Sequence, residues 1–381
     1  MRVVWITHNY PRFRGDIAGA FLHPLAVALR TRGIDLRVVA PSDGGAGGVE
    51  ELDGVPVRRV RYARPERERL AYGGMNARSI MSPTGMMTFN ALRRALRRGA
   101  REELRSAGAN VIHAHWWLPG GLAAPAGARM VLTCHGSDVQ LLERSAPARF
   151  LGRRVFRRAK VVTTVSRSLA EIVERRTGVH VAESGVQPMP VVSVDRPWSA
   201  GGGGFVVIGR LTPQKRVHLA IEAVAHAREL GVDCTLHVVG DGPERAALEL
   251  RAAELGIEAH VRFVGEIAPA DVPTVLATAD GCIMPAVGEG FGLAAAEALM
   301  QGVPVIACRD GGGLADVVIQ GAGGWIVQPA AAAIADAILD LLNTPDAMPH
   351  ARQAGLQWRD RLSADAVAER CLTWYEGALH A

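Results

Sequence analysis

The sequence predicts an α/β protein built of two doubly wound domains that face each other across a cleft. Three observations carry this. Short β-branched runs alternate with helical stretches from one end of the chain to the other, the pattern of parallel sheets with crossover helices. The 381 residues exceed the size at which one hydrophobic core normally stops growing. Near the middle, QPMPVVSVDRPWSAGGGG is rich in Pro, Gly and Ser, as a linker is.

In the first half VVWIT, LRVVAP, VIHAH, MVLTCHG and KVVTTVS read as strands because each is a short β-branched run closed by a turn or helix start. AFLHPLAVALRTRG and RSLAEIVERR read as helices, with apolar residues three and four apart. In the second half the strands are FVVIGRL, CTLHVVGDGP, VRFVGEI, GCIMPA, VPVIAC and GGWIVQP. Its helices are HLAIEAVAHARELG, ERAALELRAAELG, DVPTVLATA, GFGLAAAEALMQG and AAAAIADAILDLLN. The last segment, GLQWRDRLSADAVAERCLTWYEGALHA, reads as one or two amphipathic helices. In open parallel sheets ligands sit beyond the carboxyl ends of the strands, so each domain presents its loops to the cleft.

Composition excludes several classes. With 49% apolar and 21% charged residues the chain is globular and not disordered. It has no apolar run of about 18 residues and so no expected membrane span. MRVVWITHNYP lacks the apolar core of a secretory signal, which places the expected site of action in the cytoplasm. The five cysteines are scattered, with no CxxC pair, and read as reduced core residues. The formal charge of +5 is carried by arginine, and the only lysines are Lys160 and Lys215.

The chemistry concentrates in GCIMPAVGEGFGLAAAEALMQG. Its order is strand, glycine loop, helix, and the first turn of a helix offers unpaired N–H donors and a partial positive charge, a ready site for phosphate. If the helix begins near Gly292, Glu297 lies five residues on, about 7.5 Å along the axis. A diphosphate at the helix mouth puts its ribose at that distance, where a carboxylate accepts bonds from both hydroxyls; Glu289 in the loop reaches outward to whatever the other phosphate carries. The alternative is an ordinary half-exposed helix acid behind a turn. FVVIGRLTPQKR sets Arg210 and Lys215 just past a strand end, where two cations suit a diphosphate. Gly240, Asp241 and Gly242 fit a tight turn and helix cap better than a ligand contact.

These residues resemble a known family. GRLTPQK, VVGDGPE, FVGEI and Glu289-Gly-Phe-Gly-Leu with Glu297 eight positions on are similar to the donor domain of family 4 glycosyltransferases, retaining enzymes of the GT-B fold with two Rossmann-like domains. The likeness covers nearly the whole chain. TCHGSD resembles the family's His-Gly-x-Asp loop and TTVSRSLAE its later Ser-bearing strand end. The opening loop, YPRFRGDIAGAF, departs from the pattern: Gly15 and Gly19 stand apart where many members have adjacent glycines.

The resemblance implies a nucleotide-diphosphate sugar as donor. It assigns His135, Arg210, Lys215 and Glu289 to catalysis, with His135 beside the transferred sugar. The donor contacts it implies are Gly15, Gly19, Asp138, Gly209, Gly290, Phe291, Gly292, Leu293 and Glu297. It also implies an acceptor-binding domain over 1–186, a linker over 187–203, a donor-binding domain over 204–355 and a helix over 356–381 that rejoins the first domain. Retention, with front-face attack and a donor phosphate oxygen taking the acceptor's proton, is implied by the family alone. No Asp-x-Asp pair occurs, so no metal or other cofactor is expected and the chain's own cations carry the diphosphate.

The acceptor is less legible. His115, Trp116 and Trp117 end a strand and are the acceptor candidates; core packing is the alternative. In TFNALRRALRRGAREELR, Arg93, Arg94, Arg97, Arg98, Arg101 and Arg105 fall within an arc of about 140° at 100° per residue. Such a face suits anionic lipid at the inner membrane face or an acidic acceptor, or is simply solvated. No nucleic-acid motif accompanies the charge. Envelope glycan, glycolipid or small-molecule glycoside synthesis fits this picture. A nucleotide-sugar epimerase of the same fold would need further acid and base groups around the sugar, and a noncatalytic nucleotide-sugar-binding protein would turn over no donor.

Overall fold

In the computed structural model of the chain, residues 1–45, 47–72, 82–107, 111–191 and 202–380 are described. The chain divides into two units, Met1–Val192 with Ala364–Ala381, and Ser193–Ser363. Most of the expected linker, residues 192–201, lies outside the described residues.

The first unit is built on seven strands: β1 (Arg2–Ile6), β2 (Asp35–Pro41), β3 (Gly48–Leu52), β4 (Val55–Val60), β5 (Val111–His115), β6 (Met130–Cys134) and β7 (Val161–Thr164). Their order is β3-β4-β2-β1-β5-β6-β7, parallel throughout except the β3–β4 hairpin. Around the sheet run α1 (Leu22–Thr31), α2 (Pro83–Ala107), α3 (Ser137–Arg144), α4 (Ala146–Phe156) and α5 (Arg167–Thr177). Strands β1, β5 and β6 are almost wholly buried, which is why they read as continuous apolar runs. The hairpin was not among the expected strands. Asp53 and Gly54 both hold positive φ, +46° and +78°, as a two-residue Asp-Gly hairpin turn requires.

The second unit holds β8 (Phe205–Ile208), α6 (Val217–Glu229), β9 (Leu236–Val239), α7 (Arg245–Glu254), β10 (Val261–Gly265) and α8 (Val272–Leu276). After these come β11 (Gly281–Met284), α9 (Leu293–Met300), β12 (Val305–Cys308), α10 (Leu314–Val317), β13 (Gly324–Val327), α11 (Ala331–Leu342) and α12 (Ala347–Arg361). Its six strands are all parallel, in the order β10-β9-β8-β11-β12-β13. Renumbered from one, this is the doubly wound order 3-2-1-4-5-6, whose direction reverses between β8 and β11; the first sheet repeats it with β3 added at one edge. The ligand-binding crevice of such a sheet lies at that reversal.

The expected closing helix over 356–381 is two helices. Residues up to Ser363, with α12, belong to the second unit, and α13 (Ala364–His380) belongs to the first. Tyr375 on α13 is wholly buried; its hydroxyl meets Trp5 Nε1 at 3.0 Å and His113 Nδ1 at 2.9 Å. All five cysteines are buried and free. Among the described residues no helix is long and apolar enough to cross a membrane.

Candidate functional site

At the reversal point of the second sheet three loops are laced together by backbone bonds. They are residues 209–216 after β8, 285–292 after β11 and 309–313 after β12. Val287 N donates to Gln214 O at 2.9 Å, Gly288 N to Asp310 O at 3.0 Å, Glu289 N to Gly311 O at 2.9 Å and Gly313 N back to Glu289 O at 2.9 Å. This lacing depends on two absent side chains. A Cβ on Gly313 would stand 2.2 Å from Gly290 O, and one on Gly312 would stand 2.8 Å from Glu289 O. Gly292, at φ +97°, caps α9. Ala295 and Ala296 donate their amides to Gly292 O at 3.0 and 3.1 Å, which leaves the Leu293 and Ala294 amides as the unpaired donors of the helix start among the described residues.

Into this mat project the charges. Lys215 Nζ lies 2.7 Å from Glu289 Oε1, with both side chains largely buried. The pair has an ion pair's distance but not a hydrogen bond's angle, since that oxygen has no hydrogen-bond partner among the described residues. Gly209 leaves room for the lysine stem: a Cβ there would meet Lys215 Cε at 3.2 Å. Arg210 is exposed and makes no contact with a described charge. Arg216 has a left-handed backbone, φ +47°. It staples the three loops, donating from Nε to Pro285 O at 2.7 Å and through a two-pronged pair to Asp310 at 2.8 and 2.6 Å.

Glu297 sits half-buried on α9 among Ala296, Ala298 and Leu299, which are closed to solvent. Burial pushes its carboxyl from 4.5 up to about 7. The same burial, helped by the Glu297 charge, pushes the Cys282 thiol up to about 12. Among the described residues no side chain pairs with the Glu297 carboxyl. An ionisable group left costly and unpartnered beside a helix start is the pattern of a binding site, since a purely structural position would be filled by an apolar side chain. Phe291 is buried and packs edge-on against Trp358 at 5.7 Å, so its side chain anchors the loop.

The first-unit candidates gather where β5 and β6 end. Asp138 is buried, and its carboxylate accepts from the backbone N–H groups of Trp117 (3.0 Å), His135 (3.2 Å) and Gly136 (3.1 Å). With its oxygens so engaged it shapes the loop that carries His135. Trp117 is wholly buried and donates from Nε1 to Asp138 O at 2.6 Å; it is a packing residue, not an acceptor platform. His115 is equally buried, with Nδ1 3.1 Å from His135 Nε2. Trp116 is 7% exposed, its ring occupied by His135 at 4.2 Å and His8 at 4.6 Å. His135 stays partly open to solvent; its pKa is held well below 6.5 by burial first and then by His113 and His8.

The two glycines of the opening loop differ. Gly15 is an exposed tip at φ +85° with nothing near it. Gly19 is buried, and a Cβ there would stand 2.4 Å from Asn9 O, so it closes the loop on itself.

The structure therefore brings Gly209, Arg210, Lys215, Glu289, Gly290, Gly292, Leu293 and Glu297 onto neighbouring loops and one helix start of the second unit. The first-unit group stands in another unit. Sequence reasoning missed Asp310 with Gly311–Gly313, although RDGGG after VIAC repeats the strand, glycine loop, helix order that flagged Gly288–Gly292. It also missed Arg216, because a left-handed position normally signals glycine.

Of the basic helix face, Arg94, Arg98 and Arg101 are exposed and Arg93 half-buried. Arg97 is committed to the fold, donating to Leu122 O at 2.8 Å and Ala123 O at 3.2 Å. Among the described residues no three His, Cys, Asp or Glu side chains gather as a metal site.

Comparison with known proteins follows this division. The family model described as Glycosyl transferases group 1 matches residues 199–358, and that described as Glycosyltransferase Family 4 matches residues 18–191. Mycobacterium tuberculosis glycogen synthase is 28% identical over 392 residues, spanning 96% of this chain and 91% of the relative. The GDP-mannose-dependent alpha-(1-6)-phosphatidylinositol monomannoside mannosyltransferase of Mycolicibacterium smegmatis is 30% identical over 381 residues, spanning 93% and 92%. The HepE protein of Anabaena, solved in complex with UDP and glucose, superposes with a TM-score of 0.69 at 19% identity, covering 98% of each chain.

Proposed function

Because the chain belongs to the family 4 glycosyltransferases of the GT-B fold, we propose that it moves a hexosyl group from a nucleotide-diphosphate sugar to an acceptor hydroxyl, with retention of configuration and without a metal. The observation that carries this reading is the half-buried, unpartnered Glu297 on the helix that the Gly288–Gly292 loop opens, with the Lys215–Glu289 pair beside that loop.

The donor's diphosphate sits at the first turn of α9, where free amides and the helix dipole favour it. It competes with Glu289 for Lys215, and Arg210 supplies the second cation. Glu289, released from the lysine, accepts bonds from the sugar hydroxyls, and Glu297 from both ribose hydroxyls. His135 stands beside the transferred sugar.

In the reaction the bond from the anomeric carbon to the diphosphate oxygen breaks and the acceptor oxygen bonds to that carbon on the same face. Its proton passes to the departing diphosphate. The products are a glycoside and a nucleoside diphosphate. Negative charge grows on the leaving group, so preorganised cations and amides that bind it best in the transition state lower the barrier.

The acceptor is a hydroxyl of a glycan, a lipid-linked sugar or a small molecule. The exposed arginines of α2 suit one that carries anionic groups or lies at an anionic membrane.

The test is release of nucleoside diphosphate from UDP-, GDP- and ADP-sugars in EDTA, with and without candidate acceptors, and NMR of the product's anomeric configuration. An α-product from an α-donor in EDTA supports the reading. Turnover that requires added metal, inversion, or no turnover of any nucleotide sugar overturns it.

A further inference from the structure

Trp116 holds a left-handed backbone, φ +62°, a conformation unfavourable for an L-residue. Such an outlier persists only where its surroundings fix it, and it directs attention to what the strained residue achieves. Here it turns the indole onto His135, ring centroids 4.2 Å apart and planes inclined at 37°. The indole also meets His8 at 4.6 Å and Phe21 at 6.0 Å. The preceding residue, His115, is wholly buried and places Nδ1 3.1 Å from His135 Nε2. Two consecutive residues at the end of β5 thus hold one ring, by its face and by one nitrogen.

We propose that His115 and Trp116 are positioning residues that fix the ring and the tautomer of His135, with His115 donating its Nδ1–H to His135 Nε2 so that His135 presents Nδ1–H to the substrate. This rests on the reading that His135 stands beside the transferred sugar.

The direction of the hydrogen bond follows from what lies behind His115. Burial lowers the pKa of both imidazoles well below 6.5, so both are neutral and one proton lies between the facing nitrogens. His115 Nε2 is buried with no hydrogen-bond partner among the described residues. Its ring is walled by Trp5 at 4.5 Å and by His113 at 4.2 Å. His113 offers it nothing, since its own nitrogens are engaged by Tyr375 Oη at 2.9 Å and Thr133 Oγ1 at 2.7 Å. A proton on His115 Nε2 would be a stranded buried donor, which is rarer in folded proteins than an under-used acceptor. The proton therefore sits on His115 Nδ1, and His135, accepting at Nε2, carries its own proton on Nδ1.

Imidazole 15N spectra of the free protein read this directly, with His135 assigned from His135→Gln. The wild type should show His135 protonated at Nδ1 and bare at Nε2. His115→Asn, whose amide replaces the Nδ1–H donor, should keep that tautomer. His115→Phe should give a mixture and lose at least about tenfold in kcat, with donor Kd changed less than about twofold. Trp116→Phe, which keeps a stacking ring, should retain the tautomer.

An Nε2–H tautomer in the wild type, or an unchanged His135 in His115→Phe, overturns the proposal. If His115→Phe fails to fold, the wild-type spectrum alone decides. If no nucleotide sugar is turned over, the transferase reading fails while the spectra still answer the question of the tautomer.

Discussion

Replacing Glu297 by Gln should make the protein more stable at neutral pH and worse at holding its donor. In the fold the carboxyl's pKa rises from 4.5 to about 7 because burial disfavours the charged form. At about 1.4 kcal/mol per pH unit the difference is worth roughly 3 kcal/mol, and residual solvent contact trims it to about 2 kcal/mol.

The sign follows from which state binds the proton more tightly. With the folded value raised, the penalty is absent below about pH 4.5, grows as pH rises through the interval and is complete above about 7. Glutamine does not ionise. The variant should therefore match the wild type near pH 4.5 and exceed it by about 2 kcal/mol at pH 8, an increase of roughly 4–8 °C in Tm for a unit of this size.

Unfolding of the free protein by urea or heat at pH 4.5, 6 and 8 measures this. Calorimetry of donor binding at pH 8 should show at least about a tenfold loss in the variant, since a charged acceptor has left the ribose. Identical pH profiles of stability for the two proteins would show that Glu297 is not held in an unfavourable environment.

Other perturbations separate packing from binding. Arg216→Gly removes the staple to Pro285 and Asp310 while relieving the φ of +47°; nucleoside diphosphate affinity should fall about tenfold, with Tm changed by only a few degrees. Gly313→Ala should abolish nucleotide binding and cost at least about 2 kcal/mol, read by calorimetry and urea unfolding, because its methyl enters the space of Gly290 O. Replacing Arg94, Arg98 and Arg101 together by Ala should weaken sedimentation with anionic vesicles by about 1 kcal/mol per charge. Donor binding should be unaffected.

Much of this is legible in the sequence. The alternation of β-branched runs and amphipathic helices gave both parallel sheets, because strands buried on both faces leave an unmistakable apolar run. The Gly288–Gly292 loop and Glu297 were legible because a carboxylate among alanines violates a local rule, and such violations mark functional positions. The β3–β4 hairpin was not among the strands expected, although Asp53-Gly54 between short alternating runs is a signal for it.

Depth was harder to read. HAHWW carries no mark of how fully His115, Trp116 and Trp117 are enclosed, since burial there is set by α13 and by the loop that Asp138 ties down. Tyr375 reaches His113 across 262 positions of sequence, beyond any local pattern.

Calorimetric titration of UDP-, GDP- and ADP-sugars, in EDTA, into the wild type and Glu297→Ala tests the metal-independent donor site proposed at α9. One nucleotide sugar should bind the wild type in EDTA, and the variant should lose that binding. No binding by any of the three, binding only when metal is restored, or equal binding by the variant would contradict it.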